Sequence, residues 1–377
     1  MTVNKLYVQS EQSALLMASG FVKGKKLPLI PGTKPSTHNA QLLVSTGIPS
    51  LDHVIGGGLP IGSILLIEED TYGNYANIML KYFIAEGILV SHNSFIASRD
   101  TKPAQFLSEI PAVANDSSTG NKTETNEEMQ IAWRYQNLKL VDSSPSGSQV
   151  FGHYFDLTKT MDKEKIDRTQ VTEWDGENIL CRTNAFEKQE FVDLLKSVEE
   201  TLSKGQFLVS DSPEKRNILR IALRSLGSRL WMCDKEEDTK NDLLRFFYCF
   251  RALLRNSYAV ATITFPVQFY HNEDALVHRL EHLADTVVGL ESFAGSDKEA
   301  NPVFKDYHGL MHIKKVSAFN TLAPHCPHSM DLAFKLRRKK FLIEVLHMPP
   351  ELGDTAQREQ DDVACGSGST RSSVLEF

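Results

Sequence analysis

The chain has 377 residues, 41% hydrophobic and 24% charged, with 41 Lys and Arg against 48 Asp and Glu for a formal net charge of −7. That size fits one large α/β domain with tails or two small domains, and the charge argues against a generally basic nucleic-acid-binding surface, though not against a local basic patch. No apolar run approaches the ~20 residues that cross a bilayer, and Met1–Met17 lacks the basic flank and apolar core of a signal peptide, so no membrane role is expected.

Five cysteines (Cys181, Cys233, Cys249, Cys326, Cys365) are scattered and form no C-x-x-C. That usage fits a reducing compartment, cytoplasm or nucleus. In chain order, residues 1–40 read as an irregular leader, with Pro28, Pro31 and Pro35 between polar residues. The core begins near Gln41. A short helix over Asp52–Ile55 should end in Gly56-Gly57-Gly58, and Leu59-Pro60 leads to a strand over Ser63–Ile67. A helix over about 77–87 carries Ile78, Met79, Tyr82 and Phe83 at helical spacing. A strand over Ser94–Ser98 follows.

Residues 112–129 read as a polar, disordered insertion and Trp133-Arg134-Tyr135 as a short edge strand. Residues 142–183 read mostly as loop. A helix over 187–203 is patterned by Phe191, Leu194, Leu195, Val198 and Leu202. A strand over 217–223, an acidic loop over Cys233–Asn241 and a helix over 242–255 come next. The strand Ala259–Phe265, a helix over 274–284 and the strand Thr286–Leu290 complete the alternation. A final β portion holds Gly309–Val316 and Lys340–Leu346, and residues 351–377 read as a disordered tail. Strands alternating with helices predict an α/β fold with a mostly parallel central sheet, helices on both faces and a C-terminal β portion.

Residues 46–67, TGIPSLDHVIGGGLPIGSILLI, resemble the opening of a RecA-type ATPase domain, which implies a RecA-like domain over 41–350. The expected sequel is G-x-x-x-x-G-K-[ST], whose backbone N–H groups cradle phosphates while Lys adds charge and Ser/Thr holds Mg²⁺. Here the strand runs instead into Glu68-Glu69-Asp70-Thr71-Tyr72-Gly73-Asn74-Tyr75-Ala76. In register, Tyr75 falls near the lysine position and Ala76 near the Ser/Thr position, and neither can do those jobs. Three acids would also repel a triphosphate. The run Asn217–Leu223 places Arg224 where the Mg²⁺-ordering Asp of a Walker B strand is expected; Phe207–Asp211 is a weaker candidate for that strand. No catalytic residue, metal or cofactor is therefore expected. A degenerate site that still binds ATP at a subunit interface stays open as the alternative to a repurposed structural loop.

Several separated blocks, GGGLPIGSILLIEED, KYFIAEGI, DKEANPVFKDYHGLMHI and FKLRRKKFLIEVLHMPP, together resemble the PAXNEB family, the fourth-subunit family of the Elongator complex. The resemblance spans roughly residues 40–350. It implies a non-catalytic RecA-like subunit in a hetero-hexameric ring with Elongator subunits 5 and 6, two copies of each. That ring would serve the catalytic Elongator core, which modifies tRNA wobble uridine (U34), by binding tRNA and releasing it in a nucleotide-dependent way. Any ATP would sit at ring interfaces through partner subunits. The competing readings are a RecA- or clock-type ATPase acting on DNA and a purely structural adaptor.

Loops after central strands are the places where such a ring could touch nucleic acid. Residues 231–241 carry Asp234, Glu236, Glu237 and Asp238, partly offset by Lys235 and Lys240. Residues 266–279 offer Gln268, Tyr270, His271 and Arg279 for stacking and hydrogen bonding. Lys335, Arg337, Arg338, Lys339 and Lys340 form the strongest basic cluster. As one strand over Phe334–Phe341, they would place Lys335, Arg337 and Lys339 on one face and Arg338 and Lys340 on the other. Such a hairpin could meet the Glu68–Asp70 loop of a neighbour, or simply guard a solvated edge. His278-Arg279-Leu280-Glu281-His282 matches H-x-x-E-H, but no third ligand is evident, and helix surface is the default. His325-Cys326-Pro327-His328 likewise has liganding types without a partner pair. Trp133 and Trp231 read as core or interface anchors.

Overall fold

The structure is a computed structural model that describes residues 30–36, 41–114, 151–177, 179, 183–270, 273–301, 304–323, 325–327, 329–337 and 339–346. Trp133–Tyr135, His271, Arg338, His328 and residues 351–377 lie outside these described residues.

A nine-stranded mixed sheet forms the centre. Its parallel part contains β4 (Ile64–Glu68), β5 (Asn93–Ala97), β8 (Val171–Trp174), β9 (Leu219–Leu223), β10 (Ala259–Phe265) and β11 (Thr286–Ser292). Antiparallel β12 (Gly309–Lys315), β13 (Leu332–Arg337) and β14 (Lys340–Val345) extend it. The order is β14-β13-β12-β11-β4-β10-β9-β5-β8, so β4 lies between β11 and β10 with parallel neighbours on both sides. The expected α/β class and C-terminal β portion are both present.

Alternation along β4 shows why the sheet is covered twice. Leu65 and Ile67 enter one core with α1 (Pro49–Val54) and α2 (Asn74–Leu89). Ile64 and Leu66 enter the opposite core with α5 (Gln189–Lys204), α6 (Glu236–Arg255) and α7 (Asp274–Leu283). A strand buried on both faces must be apolar at every position, as Ile64-Leu65-Leu66-Ile67 is. Small helices α3 (Pro103–Ser108) and α4 (Lys163–Asp167) lie at the margins. Two short sheets, β1 (Thr33–Pro35) with β2 (Leu42–Val44) and β3 (Leu59–Pro60), and β6 (Pro111–Val113) with β7 (Phe155–Thr160), complete the described fold.

The structure corrects several boundaries. The leader contributes β1, which pairs antiparallel with β2. Ala112 and Val113 belong to β6 and not to a disordered insertion. Residues 142–183 were expected to be mostly loop, yet 155–174 supply β7, α4 and the edge strand β8. Only Trp174 of β8 is buried, so the strand carries almost no apolar alternation to read. Helix α6 starts at Glu236 rather than 242, absorbing most of the acidic loop. Its first turn holds Glu236, Glu237 and Asp238, where the positive end of the helix dipole favours them. Helix α2 likewise starts three residues early, at Asn74.

Candidate functional site at the carboxyl edge of the sheet

The loop after β4 lies beyond the carboxyl ends of the parallel strands, where open α/β sheets hold ligands. Gly73 adopts φ 66° at the N-cap and turns the chain into α2. The first backbone N–H groups of a helix are without intrahelical partners and form a ready anion site. Here Asp70 fills it: its carboxylate accepts from the backbone of Asn74 (3.2 Å), Tyr75 (3.0 Å) and Ala76 (3.2 Å). Asp70 is itself buried. One internal carboxylate thus stands where a phosphate would dock.

Tyr75 and Ala76 have structural partners. The Tyr75 ring packs 4.6 Å from Phe334 and 6.4 Å from Phe341, joining α2 to the C-terminal strands. Ala76 is fully buried. Glu68, the last residue of β4, accepts from Lys314 Nζ at 2.7 Å, and Lys314 also bridges Glu281. Burial pushes the Glu68 carboxyl up to about 7, against the opposing pull of Lys314. Glu69 accepts from the Ser225 hydroxyl at 2.7 Å. Its carboxyl is also shifted upward, first by burial and then by the nearby Asp100.

The three acids therefore do not form one acidic surface. All three have partners inside the chain, Glu68 in Lys314, Glu69 in Ser225 and Asp70 in the helix N–H groups, which corrects the expectation that Glu68–Asp70 presents itself as a block to a neighbour's basic hairpin. The hairpin is engaged as well. Lys335 pairs with Glu344, Lys339 lies 3.5 Å from Asp156, and Lys340 sits 5.0 Å over the Tyr154 ring. Nor is Phe334–Phe341 one strand. β13 ends at Arg337 and β14 begins at Lys340, so these two residues are cross-strand partners rather than residues of opposite faces.

Arg224 follows β9 directly, as the sequence predicts, and its guanidinium donates to the Thr101 hydroxyl. β9 lies beside β10 within the sheet, whereas residues 207–211 make only an isolated bridge, Leu208 with Ser257. A cleft of about 380 Å³ opens between the loops that follow β4, β5, β9 and β10. Glu69, Thr71, Tyr72 and Gly73, then Asp100, then Ser225, Ser228, Arg229 and Leu230, then Pro266, Gln268 and Phe269 line it.

Of the residues expected to meet nucleic acid, Gln268 lines the cleft. Tyr270 is buried; its hydroxyl donates to the Gly227 carbonyl at 2.6 Å and its ring stacks on Phe265, so it is no base platform. Arg279 is exposed on α7, outside the cleft lining. In the first loop, Lys240 is spent on Glu273 at 2.7 Å, with Glu236 and Glu237 close by. Trp231 is a core residue, stacked with Trp174. His278 and His282 approach at 3.2 Å on α7, with Glu281 tied to Lys314; among the described residues no group of three or more His, Cys, Asp or Glu is placed to hold a metal ion. Sequence reading missed Asp100, Arg229, Leu230, Phe269 and Lys314. No residue pattern marks them, because strands far apart in the chain bring them together.

The β4–loop–α2 unit at the carboxyl edge of the sheet, with the internal Asp70 carboxylate on the start of its helix, belongs to an α/β protein built on a large mixed sheet. The sequence profile of the PAXNEB protein family matches residues 26–377, and the chain belongs to that family. A Xenopus laevis relative is 44% identical over 380 residues, covering 93% of this chain and 90% of the relative. A Homo sapiens relative is 42% identical over 357 residues (89% and 83%), and a Saccharomyces cerevisiae relative 24% over 371 residues (84% and 76%). All three are called Elongator complex protein 4. Among solved structures, a KaiC-like protein from Pyrococcus horikoshii OT3 aligns with a TM-score of 0.43 and 15% identity, covering 80% of this chain and 98% of that chain.

Proposed function

We propose that this chain is a subunit of Elongator without catalytic chemistry of its own. It would assemble with subunits 5 and 6 in a hetero-hexameric ring and support tRNA wobble-uridine modification by the catalytic core through assembly and tRNA binding. The observation that carries the non-catalytic part is Asp70 seated on the α2 N-terminus, with Tyr75 packed into the core. A triphosphate would have to displace a buried carboxylate and would find no lysine at the expected position. Arg224, bonded to Thr101, likewise offers no carboxylate for Mg²⁺.

Any ATP in the assembly would be held through the partner subunits, and the chain would reside in the cytoplasm and nucleus. Native mass spectrometry after co-expression with subunits 5 and 6 tests the reading. A hetero-hexamer with two copies of this chain is expected. A stable monomer, or a homo-hexamer with Mg²⁺-dependent ATPase activity, would replace it with the ATPase alternative. A ring that forms but never crosslinks tRNA to this chain would leave the structural adaptor.

A further inference from the structure

The run His278-Arg279-Leu280-Glu281-His282 has no part in the proposed function, yet the fold gives it a definite geometry. Both histidines are exposed on α7, one turn apart, while Leu276, Val277 and Leu280 bury the other face of the helix. Their Nε2 atoms lie 3.2 Å apart, with ring centroids 4.5 Å apart and ring planes at 70°. Two ligands on a tetrahedral Zn²⁺, each at about 2.0–2.1 Å, stand about 3.3–3.4 Å from one another. The two nitrogens therefore already hold the spacing of one edge of a coordination tetrahedron.

Glu281 decides which nitrogen of His278 faces outward with a lone pair. Its Oε2 lies 3.2 Å from His278 Nδ1. An ionised carboxylate only accepts, so Nδ1 carries the hydrogen, and Nε2 of the neutral ring keeps its lone pair. Glu281 is itself fixed: Lys314 Nζ lies 2.7 Å from its Oε1, and its side chain is 17% exposed. A carboxylate behind a ligating imidazole orients the ring and raises its basicity. Held on Nδ1 and on Lys314, Glu281 is not placed as the general base of a metalloprotease, and two protein ligands are one short of a catalytic zinc site.

The nearby lysines are occupied. Lys314 bridges Glu281 and Glu68, and Lys315 Nζ donates to the carbonyls of Glu281, His282 and Ala284 at the end of α7. Arg279 is exposed on the same helix, but adjacent helix positions do not face each other. With these cations around the pair, attraction for an ion comes from the imidazole lone pairs and not from a negative field.

We propose that His278 and His282 chelate one divalent transition-metal ion of the zinc and copper type through their Nε2 atoms, with Glu281 as the positioning residue behind His278. Imidazole selects such ions over Mg²⁺ and Ca²⁺, which take oxygen ligands. Water fills the remaining coordination positions. Structural zinc sites are closed by four protein ligands, so a site with two binds its ion reversibly. The inference stands on α7 and its neighbours and is independent of the assembly reading.

The full chain, cleared of metal with a chelator, is titrated with ZnCl₂ by isothermal calorimetry beside His278→Gln, His282→Gln and the double variant. The double variant measures zinc taken by cysteines and histidines elsewhere on the chain. Wild type should take up one Zn²⁺ more than the double variant, at micromolar free metal. Each single variant should lose that event, because one imidazole forms no chelate. Cu²⁺ should bind the same pair more tightly than Zn²⁺, and Mg²⁺ should not bind it. Glu281→Gln, whose amide oxygen still accepts from Nδ1, should keep the site, whereas Glu281→Ala should weaken it by about tenfold or more. Equal zinc stoichiometry in wild type and double variant, an event that survives the loss of one histidine, or an excess seen only at millimolar zinc would overturn the proposal. The contact would then be a hydrogen bond between two surface histidines.

Discussion

Asp70 accepts three backbone N–H groups with one side chain, work that falls to the ligand in a phosphate loop. Removing it strands buried donors at a helix start. Asp70→Ala is expected to cost about 1–2 kcal/mol, read as a lower urea midpoint with an unchanged slope. Because the vacated N–H groups form an anion site, sulfate should restore more stability to this variant than it adds to wild type. Equal responses would show that the cap is not an anion position. Asp52 is a second buried acid. It accepts the Thr46 backbone N–H at 2.8 Å and the Ser45 hydroxyl, but has no ion pair among the described residues. Burial raises its carboxyl from 3.8 to about 7. Between those values the folded chain holds a proton that the unfolded chain has released, so stability falls as pH rises through this window. The slope is at most about 1.4 kcal/mol per pH unit. Asp52→Asn cannot titrate, and should lose less stability than wild type between pH 5 and pH 8 in urea titrations.

At the scale of elements, α2 is held to the sheet by a buried arginine. Arg220, inside β9, is fully buried and donates to the carbonyls of Ser45 (2.8 Å) and Phe83 (3.0 Å), with Nε 3.2 Å from His92 Nδ1. His92 Nε2 in turn lies 2.7 Å from the Pro31 carbonyl. One side chain thus links the sheet, α2, the β2–α1 turn and the segment before β1. Burial lowers the Arg220 pKa to about 10 and that of His92 to about 3, so near neutral pH the arginine is charged and the imidazole is a neutral acceptor. Gly87 makes the arrangement possible: a Cβ there would lie 2.6 Å from Arg220 Cδ. Gly87→Ala should cost about 1–3 kcal/mol by overpacking, and Arg220→Ala about 3–5 kcal/mol by stranding its buried partners. In a double-mutant cycle the Gly87→Ala penalty should shrink once the colliding Cδ is gone. Strictly additive penalties would mean that the two residues act separately.

For the whole molecule, the carboxyl edge of the sheet carries a cleft beside a helix start already occupied by the Asp70 carboxylate. Equilibrium dialysis of the isolated chain with MgATP is expected to show no saturable binding at micromolar nucleotide, and Asp70→Ala alone should not create it, because it adds no cation beside the helix start, where Tyr75 stays packed on Phe334. Saturable binding by wild type would contradict the non-catalytic reading.

The β4 run and the α5 and α6 faces were legible in the sequence, since an apolar stripe at period 2 or 3.6 must be buried wherever it ends up. The edge strand β8 and the early start of α6 were not legible, because polar residues on solvated elements leave no period. Nor was the fate of each charge. Glu68, Glu69 and Asp70 are identical in kind along the chain. Only folding brings Lys314 from 246 positions away to the first, leaves hydroxyls to the second and sets a helix end against the third. Local pattern fixes which surfaces must be buried. Which charges find partners depends on contacts between distant strands, and only the tertiary structure decides that.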